Sequence, residues 1–199
     1  MKKPFNLKKF SKYLLSLVGY VLLVAADEFF APFAIPLLIA NVYIGLSPLL
    51  SCALFVAAYL LSLSISVTAV AAMSGAVAAI FFLITNKIGK KPNFSLALIT
   101  AVALAPYVLV RDCHNLTVRL ILAGVCVPLV FVFVSAAKVF LVKGLKYRLS
   151  TDEIVSAAAL FSVASYGAIN LFSAPVYECF AVAAILISGM IMRRSCCSV

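Results

Sequence analysis

Few side chains in this sequence are of types that carry out chemistry, and most of them lie beside long apolar runs. The chain has six acidic residues and one histidine, His114. Asp27 and Glu28 directly follow an apolar run, and Asp112 precedes Cys113 and His114 in a short polar break. An ionisable group inside a bilayer would indicate a proton or substrate path, whereas at a membrane edge it is an ordinary interfacial residue. These positions favour the interfacial interpretation.

The cysteines and the histidine form no catalytic or metal-binding pattern. The six cysteines follow no spacing that is typical of a zinc site. Cys113 and His114 lack the third, orienting group that a nucleophilic pair requires. The sequence also lacks a glycine-rich phosphate-binding loop. We therefore expect no cofactor, no metal site and no enzyme activity in this chain.

The second apolar run, residues 29–46, is irregular. Pro32 and Pro36 each remove a backbone donor, so this element is predicted to be kinked, broken or half-inserted in the membrane. Pro32, Phe33 and Pro36 form the motif of this broken segment. Its freed backbone groups allow an alternative interpretation, in which the acidic pair before the run faces a ligand cavity.

The composition is that of an integral membrane protein. Of the 199 residues, 66% are hydrophobic and 11% are charged, and the mean hydropathy is +1.21. A soluble surface cannot be built from this balance, so the lipid bilayer is the expected surrounding. The net charge of +10 would favour a nucleic-acid partner in a soluble protein. Here the basic residues lie in short clusters between apolar runs, without base-stacking aromatics, and nucleic-acid binding is not expected.

The apolar runs predict an all-α, polytopic transmembrane helix bundle that forms a single domain over residues 1–199. A helix needs about 20 apolar residues to cross the hydrocarbon core, which gives about eight spans. The predicted spans are 13–26, 29–46, 48–63, 67–84, 94–110, 120–141, 154–172 and 176–192. Six spans remain an alternative, because losing the second run and fusing another pair leaves both termini on the same side.

The basic residues predict that both termini lie in the cytoplasm, in a multi-pass protein of the cell membrane. With eight spans and a cytoplasmic start, 14 of the 16 lysines and arginines fall on the inner side. Only Arg111 and Arg119 fall outside. The polar stretch Ser150, Thr151 and Asp152 is predicted to cap the start of the seventh helix.

Two passages resemble the N-terminal membrane region of the bacterial stage II sporulation protein E family. The first is APFAIPLL, residues 31–38, which is similar to the proline-phenylalanine-alanine-apolar-proline pattern after that family's first span. The second is KVFLVKGLKYRLSTDEIVSAAALFSVASYGAINL, residues 138–171. It resembles the family's basic cytoplasmic connection, the acidic pair before an isoleucine, and the helix that follows.

The resemblance implies a membrane domain of roughly ten spans, a cytoplasmic region linked to the division machinery, and a manganese-dependent PP2C-type serine/threonine phosphatase. In that family the phosphatase helps to activate a forespore-specific sigma factor. The 199 residues include neither the cytoplasmic region nor the phosphatase, so no catalytic aspartate is carried over to this sequence.

The sequence supports two functional hypotheses. The first is a membrane-anchoring, localisation and assembly module, like the front of the sporulation phosphatase, which positions a cytoplasmic protein partner. Its expected cytoplasmic contact residues are Lys143, Lys146, Arg148, Asp152 and Glu153. The second is a small transporter subunit, such as the substrate-binding component of a vitamin uptake system. Small residues in the fourth and seventh runs favour close helix packing, either within one chain or in a homo-oligomer.

Overall fold

All regular structure in the described part of the chain is helical. A computed structural model describes residues 7–26, 32–62, 65–88, 92–110, 115–143 and 149–171, together with the single positions 178 and 182. The helices are α1 (Leu7–Ala25), α2 (Ala34–Tyr43), α3 (Pro48–Ser62), α4 (Ile65–Ile88), α5 (Pro92–Ala103), α6 (Ala105–Val110), α7 (Leu116–Lys138) and α8 (Thr151–Leu171). A π-helical turn, Val139–Lys143, extends α7.

Within the described residues, three helices are long and apolar enough to cross a membrane. They are Val67–Ile84 within α4, Leu116–Lys143 formed by α7 and its π-helical turn, and Thr151–Leu171. Four shorter apolar helices, of 10 to 17 residues, accompany them. These lengths and compositions are those of a membrane protein, in agreement with the prediction from composition.

The short helix α2 occupies the centre of the bundle. It contacts α1, α3, α4, α5 and α7, and its residues from Ala34 to Asn41 are all buried. Its ten residues rise about 15 Å, roughly half the thickness of a bilayer's hydrocarbon core. Because neighbouring helices surround α2, it is shielded by protein even though it is too short to span.

Gly45 ends α2 and turns the chain into α3. Gly45 has a φ of +106°, a backbone conformation that favours glycine. The Leu46 amide donates to the Asn41 carbonyl at 3.1 Å and the Gly45 amide donates to the Val42 carbonyl at 3.0 Å. This pair of bonds satisfies the last carbonyls of the helix.

Contacts between helices show which of their ends lie together. The Tyr13 hydroxyl lies 3.1 Å from the Ser47 amide, so α3 begins beside the start of α1. Lys143 pairs with Glu153, which places the end of α7 beside the start of α8. The helices α1, α3 and α8 therefore begin at one end of the bundle, where α2 and α7 finish. At the opposite end, Arg119 Nη1 donates to the Val108 carbonyl at 2.7 Å and joins α6 to α7.

The fifth predicted span, residues 94–110, is divided into two helices. The helix α5 ends at Ala103, Leu104 is a turn residue, and α6 begins at Ala105. Pro106 has no amide hydrogen and its ring crowds the preceding turn, which explains an interruption at this point. The Leu104 amide still donates to the Thr100 carbonyl at 3.0 Å and the Val108 amide to the Leu104 carbonyl at 3.1 Å.

The helices α1 and α8 approach each other closely at Gly167. A Cβ atom on Gly167 would lie 1.8 Å from the Leu22 carbonyl oxygen and 2.9 Å from the Ala26 amide nitrogen. Near the same crossing, Asn170 Nδ2 donates to the Ala25 carbonyl at 2.8 Å. Only a residue without a side chain allows the two backbones to approach this closely.

Candidate functional site

One end of the bundle gathers the lysines whose side chains the structure describes. We call it the basic end and define it by Lys12, Lys138 and Lys143. Lys138 Nζ lies 5.8 Å from the centre of the Tyr43 ring, a cation–π contact that holds the end of α7 against the end of α2. Lys12 precedes Tyr13, whose hydroxyl contacts Ser47.

A capping box begins α8 at the basic end. The Glu153 amide donates to Ser150 Oγ at 3.3 Å, and the Ser150 amide donates to Glu153 Oε2 at 3.1 Å. Each of these bonds satisfies a donor that the helix start would leave unpaired. The other carboxylate oxygen of Glu153 accepts from Lys143. The helix therefore begins at Thr151, as the polar stretch predicts, and Glu153 joins it to the π-helical turn.

The predicted cytoplasmic contact residues are brought together only in part. Lys143 and Asp152 are exposed at the basic end, and Glu153 is half-buried between Lys143 and the capping box. Lys146 and Arg148 lie outside the described residues. Lys143, Asp152 and Glu153 therefore form a small surface of mixed charge, in which Lys143 is already paired with Glu153.

The three residues of the broken segment surround the start of α2. Pro32 precedes the helix and its carbonyl accepts from the Ile35 amide at 3.1 Å. Phe33 is the N-cap residue and Pro36 lies in the first turn, where amide groups have no partner within a helix. Pro36 therefore costs α2 no hydrogen bond. Pro32 and Pro36 are buried and Phe33 is half-buried.

An apolar cavity of about 240 Å³ lies between α1, α2, α7 and α8. It is open on one side, where two of its lining residues, Leu15 and Val18, are 47% and 48% exposed. Phe140 of the π-helical turn and Phe161 of α8 line it together, with ring centres 5.4 Å apart. Among the described residues that line it, Ser16 and Asn41 have the only polar side chains.

A buried polar pair lies next to this cavity and was not predicted from the sequence. Asn41 Nδ2 donates to the Tyr20 hydroxyl at 2.9 Å, and both residues are almost completely buried. Ser51 is also buried, and its Oγ makes no hydrogen bond within the described part of the chain. The sequence feature that could have indicated this pair is Asn41, because a side-chain amide within an apolar run needs a hydrogen-bond partner.

The acidic residues, the histidine and the cysteines considered in the sequence form no catalytic or metal-binding group within the described residues. Asp27, Glu28 and the break at residues 111–114 lie outside them. Within the described residues, no group of three or more His, Cys, Asp and Glu side chains is placed to hold a metal ion. Cys52 is partly buried and its Sγ donates to the Gly75 carbonyl at 3.3 Å, while Cys126 is buried. Both cysteines lie among packed helices.

Comparison with known proteins does not place the chain in a family. No family model matches it, and no curated protein or solved structure is significantly similar.

Proposed function

We propose that this chain is a multi-pass module of the cell membrane that anchors and positions a cytoplasmic protein partner. The observation that carries the proposal is the basic end, where Lys12, Lys138 and Lys143 lie at the end of the bundle at which α7 finishes and α8 begins. The resemblance to the membrane region of the stage II sporulation protein E family supports the same role.

The proposed topology has about eight passes across the bilayer, with both termini in the cytoplasm, and the short helix α2 forms only part of the second pass. Lysines near the membrane are retained on the cytoplasmic side, so the basic end is the inner end. The helices α1, α3 and α8 then run outward, and α2 and α7 run inward. A final inward span over residues 176–192 would return the C-terminus to the cytoplasm.

The topology predicts opposite labelling of two single-cysteine variants in a background from which the six native cysteines are removed. Ser47→Cys, at the basic end, is expected to resist a membrane-impermeant maleimide in intact cells and to react after permeabilisation. Asn115→Cys, at the opposite end, is expected to react in intact cells. Both positions are exposed, so burial does not protect either one. Reversed labelling would contradict the orientation, and labelling of both from one side would contradict the arrangement of the helices.

The anchoring role predicts a partner contact at the basic end. A photocrosslinking amino acid at Asp152 is expected to give a discrete adduct with a cytoplasmic protein, and the same probe at Val110, at the opposite end, is expected to give none. Both residues are exposed. Adding Lys146→Ala and Arg148→Ala is expected to reduce the adduct at Asp152 several-fold, because charge complementarity selects partners. Equal crosslinking at both positions, or none at Asp152, would contradict the role.

A transporter subunit is a second candidate, favoured by the cavity between α1, α2, α7 and α8. Ser16 and Asn41 are the two polar side chains that such a site offers a solute, and the rest of the lining is apolar. The chemistry of this lining favours a hydrophobic ligand over a polar vitamin. Neighbouring ATPase subunits that purify with the chain would favour this candidate.

A further inference from the structure

The cavity between α1, α2, α7 and α8 has a shape that follows from the crossing of α1 and α8. The two backbones are pressed together at Gly167, where a Cβ atom would overlap the Leu22 carbonyl. Towards the basic end, Leu15 and Val18 of α1 and Phe161 of α8 line an open space. The floor of that space is formed by Leu37 and Asn41 of α2, together with residues of α7 and its π-helical turn.

The size and lining of the cavity fit a hydrocarbon chain. An apolar cavity of about 150 Å³ is large enough to bind benzene, and this one measures about 240 Å³ and continues to the surface of the bundle. Twelve of its 14 lining residues are apolar. Leu15 and Val18 are about half exposed at its edge, so the opening faces sideways, in the direction of the surrounding lipid.

The charges at the basic end fit an anionic headgroup. Phe140 and Leu141 of the π-helical turn line the cavity, and Lys138 and Lys143 flank them in the sequence. Both lysines are exposed. Basic pockets between transmembrane helices on the cytoplasmic side bind anionic lipid headgroups. The cavity therefore fits the hydrocarbon chain of an anionic lipid, and the lysines fit its headgroup.

We infer that this cavity is a binding site for an anionic phospholipid of the surrounding leaflet, with one acyl chain between α1 and α8 and the phosphate near Lys138 and Lys143. The site extends beyond the anchoring role, since it recognises lipid and not a protein partner. Gly167 fixes the helix crossing that leaves the cavity open, and the lysines select the headgroup.

A tryptophan reporter tests the site directly, because the chain contains no native tryptophan. Phe161→Trp places the reporter in the cavity, and Leu83→Trp places a control on α4, where the native side chain is 61% exposed and outside the cavity lining. Each full-length variant is reconstituted into vesicles that contain brominated phosphatidylglycerol or brominated phosphatidylcholine. Quenching of fluorescence by the two lipids gives their relative binding constant at each position.

We expect phosphatidylglycerol to be preferred about fivefold at Phe161→Trp, because one lysine near the surface contributes about that factor and Lys143 is already paired with Glu153. No preference is expected at Leu83→Trp. Adding Ala164→Leu, which fills the cavity, is expected to abolish the preference, whereas Ala158→Leu, at an exposed position of the same helix, is expected to retain it. Lys138→Gln leaves the cavity lining unchanged and is expected to lower the preference several-fold.

Three results would overturn the inference. Equal quenching by both lipids at Phe161→Trp would show that the basic end selects no headgroup. Absence of quenching by either lipid would show that the cavity is closed to the bilayer, for example by the apolar run 176–192 of the same chain. A preference that survives both Ala164→Leu and Lys138→Gln would also contradict it.

Discussion

Gly167→Ala is expected to lower the free energy of unfolding by at least about 2 kcal/mol, near the upper part of the range for overpacking. The added methyl group would meet the Leu22 carbonyl oxygen at 1.8 Å and the carbon of the same carbonyl at 2.8 Å. Both atoms belong to backbone inside a helix, so they cannot turn aside as the end of a side chain can. The two helices must separate, and the bond from Asn170 to Ala25 is expected to be lost with the contact.

A matched glycine variant separates this clash from the intrinsic effect of alanine in a helix. A Cβ atom on Gly124 of α7 would meet nothing within 4 Å. Gly124→Ala is therefore expected to be neutral or to stabilise by up to about 1 kcal/mol, the helix preference of alanine over glycine. Unfolding of the purified variants in mixed micelles, followed by circular dichroism, measures both effects. Equal stability of the two variants would show that α1 and α8 are not in contact at Gly167.

Elements that consist of uninterrupted apolar runs were predictable from the sequence. The run 48–63 corresponds to α3, Pro48–Ser62, and the run 154–172 corresponds to α8, Thr151–Leu171. The start of α8 coincides with a capping residue. Ser150 was sufficient to locate the start of α8, because capping depends only on residues within one turn.

The prolines were harder to interpret, because their effect depends on where a helix begins. Pro36 was expected to disturb the second element, but α2 begins at Ala34, so Pro36 falls in a first turn that tolerates it. Pro106 was not expected to divide the fifth run, yet the helix is interrupted at Leu104. The same residue type thus lies in the first turn of one helix and separates two others.

The candidate site was predictable only where it depends on neighbours in the sequence. The sequence indicated the basic and acidic residues between α7 and α8 as a contact surface, but it did not predict that Lys143 pairs with Glu153. The cavity and the bond from Asn41 to Tyr20 were not predicted either, because they depend on how α1, α2, α7 and α8 cross. Hydropathy shows that a helix is buried in lipid or protein, but it does not give the rotation of one helix against another.

Phe55→Ala is expected to lower the free energy of unfolding by about 3 kcal/mol, the lower limit for removing a buried aromatic ring from a packed core. Phe55 is completely buried. Its ring lies edge-on to Tyr20, with centres 5.8 Å apart, and to Tyr59, with centres 5.0 Å apart. On α4, Gly75 leaves room for the same ring, since a Cβ atom there would lie 3.6 Å from Phe55 Cδ1. The variant therefore removes contacts among α1, α3 and α4 together.

We expect Phe55→Ala to lower the free energy of unfolding only by the lower limit of this range because lipid, and not water, surrounds the helices. A phenylalanine in a soluble protein also gains the free energy of leaving water, whereas a lipid-facing ring in the unpacked state is already in an apolar phase. What remains is the loss of close contacts around the vacated space, which lipid cannot fill inside the bundle.

Phe94→Ala provides the matched control, because Phe94 is 64% exposed and its loss leaves no internal cavity. Unfolding in mixed micelles is expected to show a large effect for Phe55→Ala and one below about 1 kcal/mol for Phe94→Ala. Similar losses for both variants would mean that Phe55 faces lipid, and that α1, α3 and α4 do not enclose it.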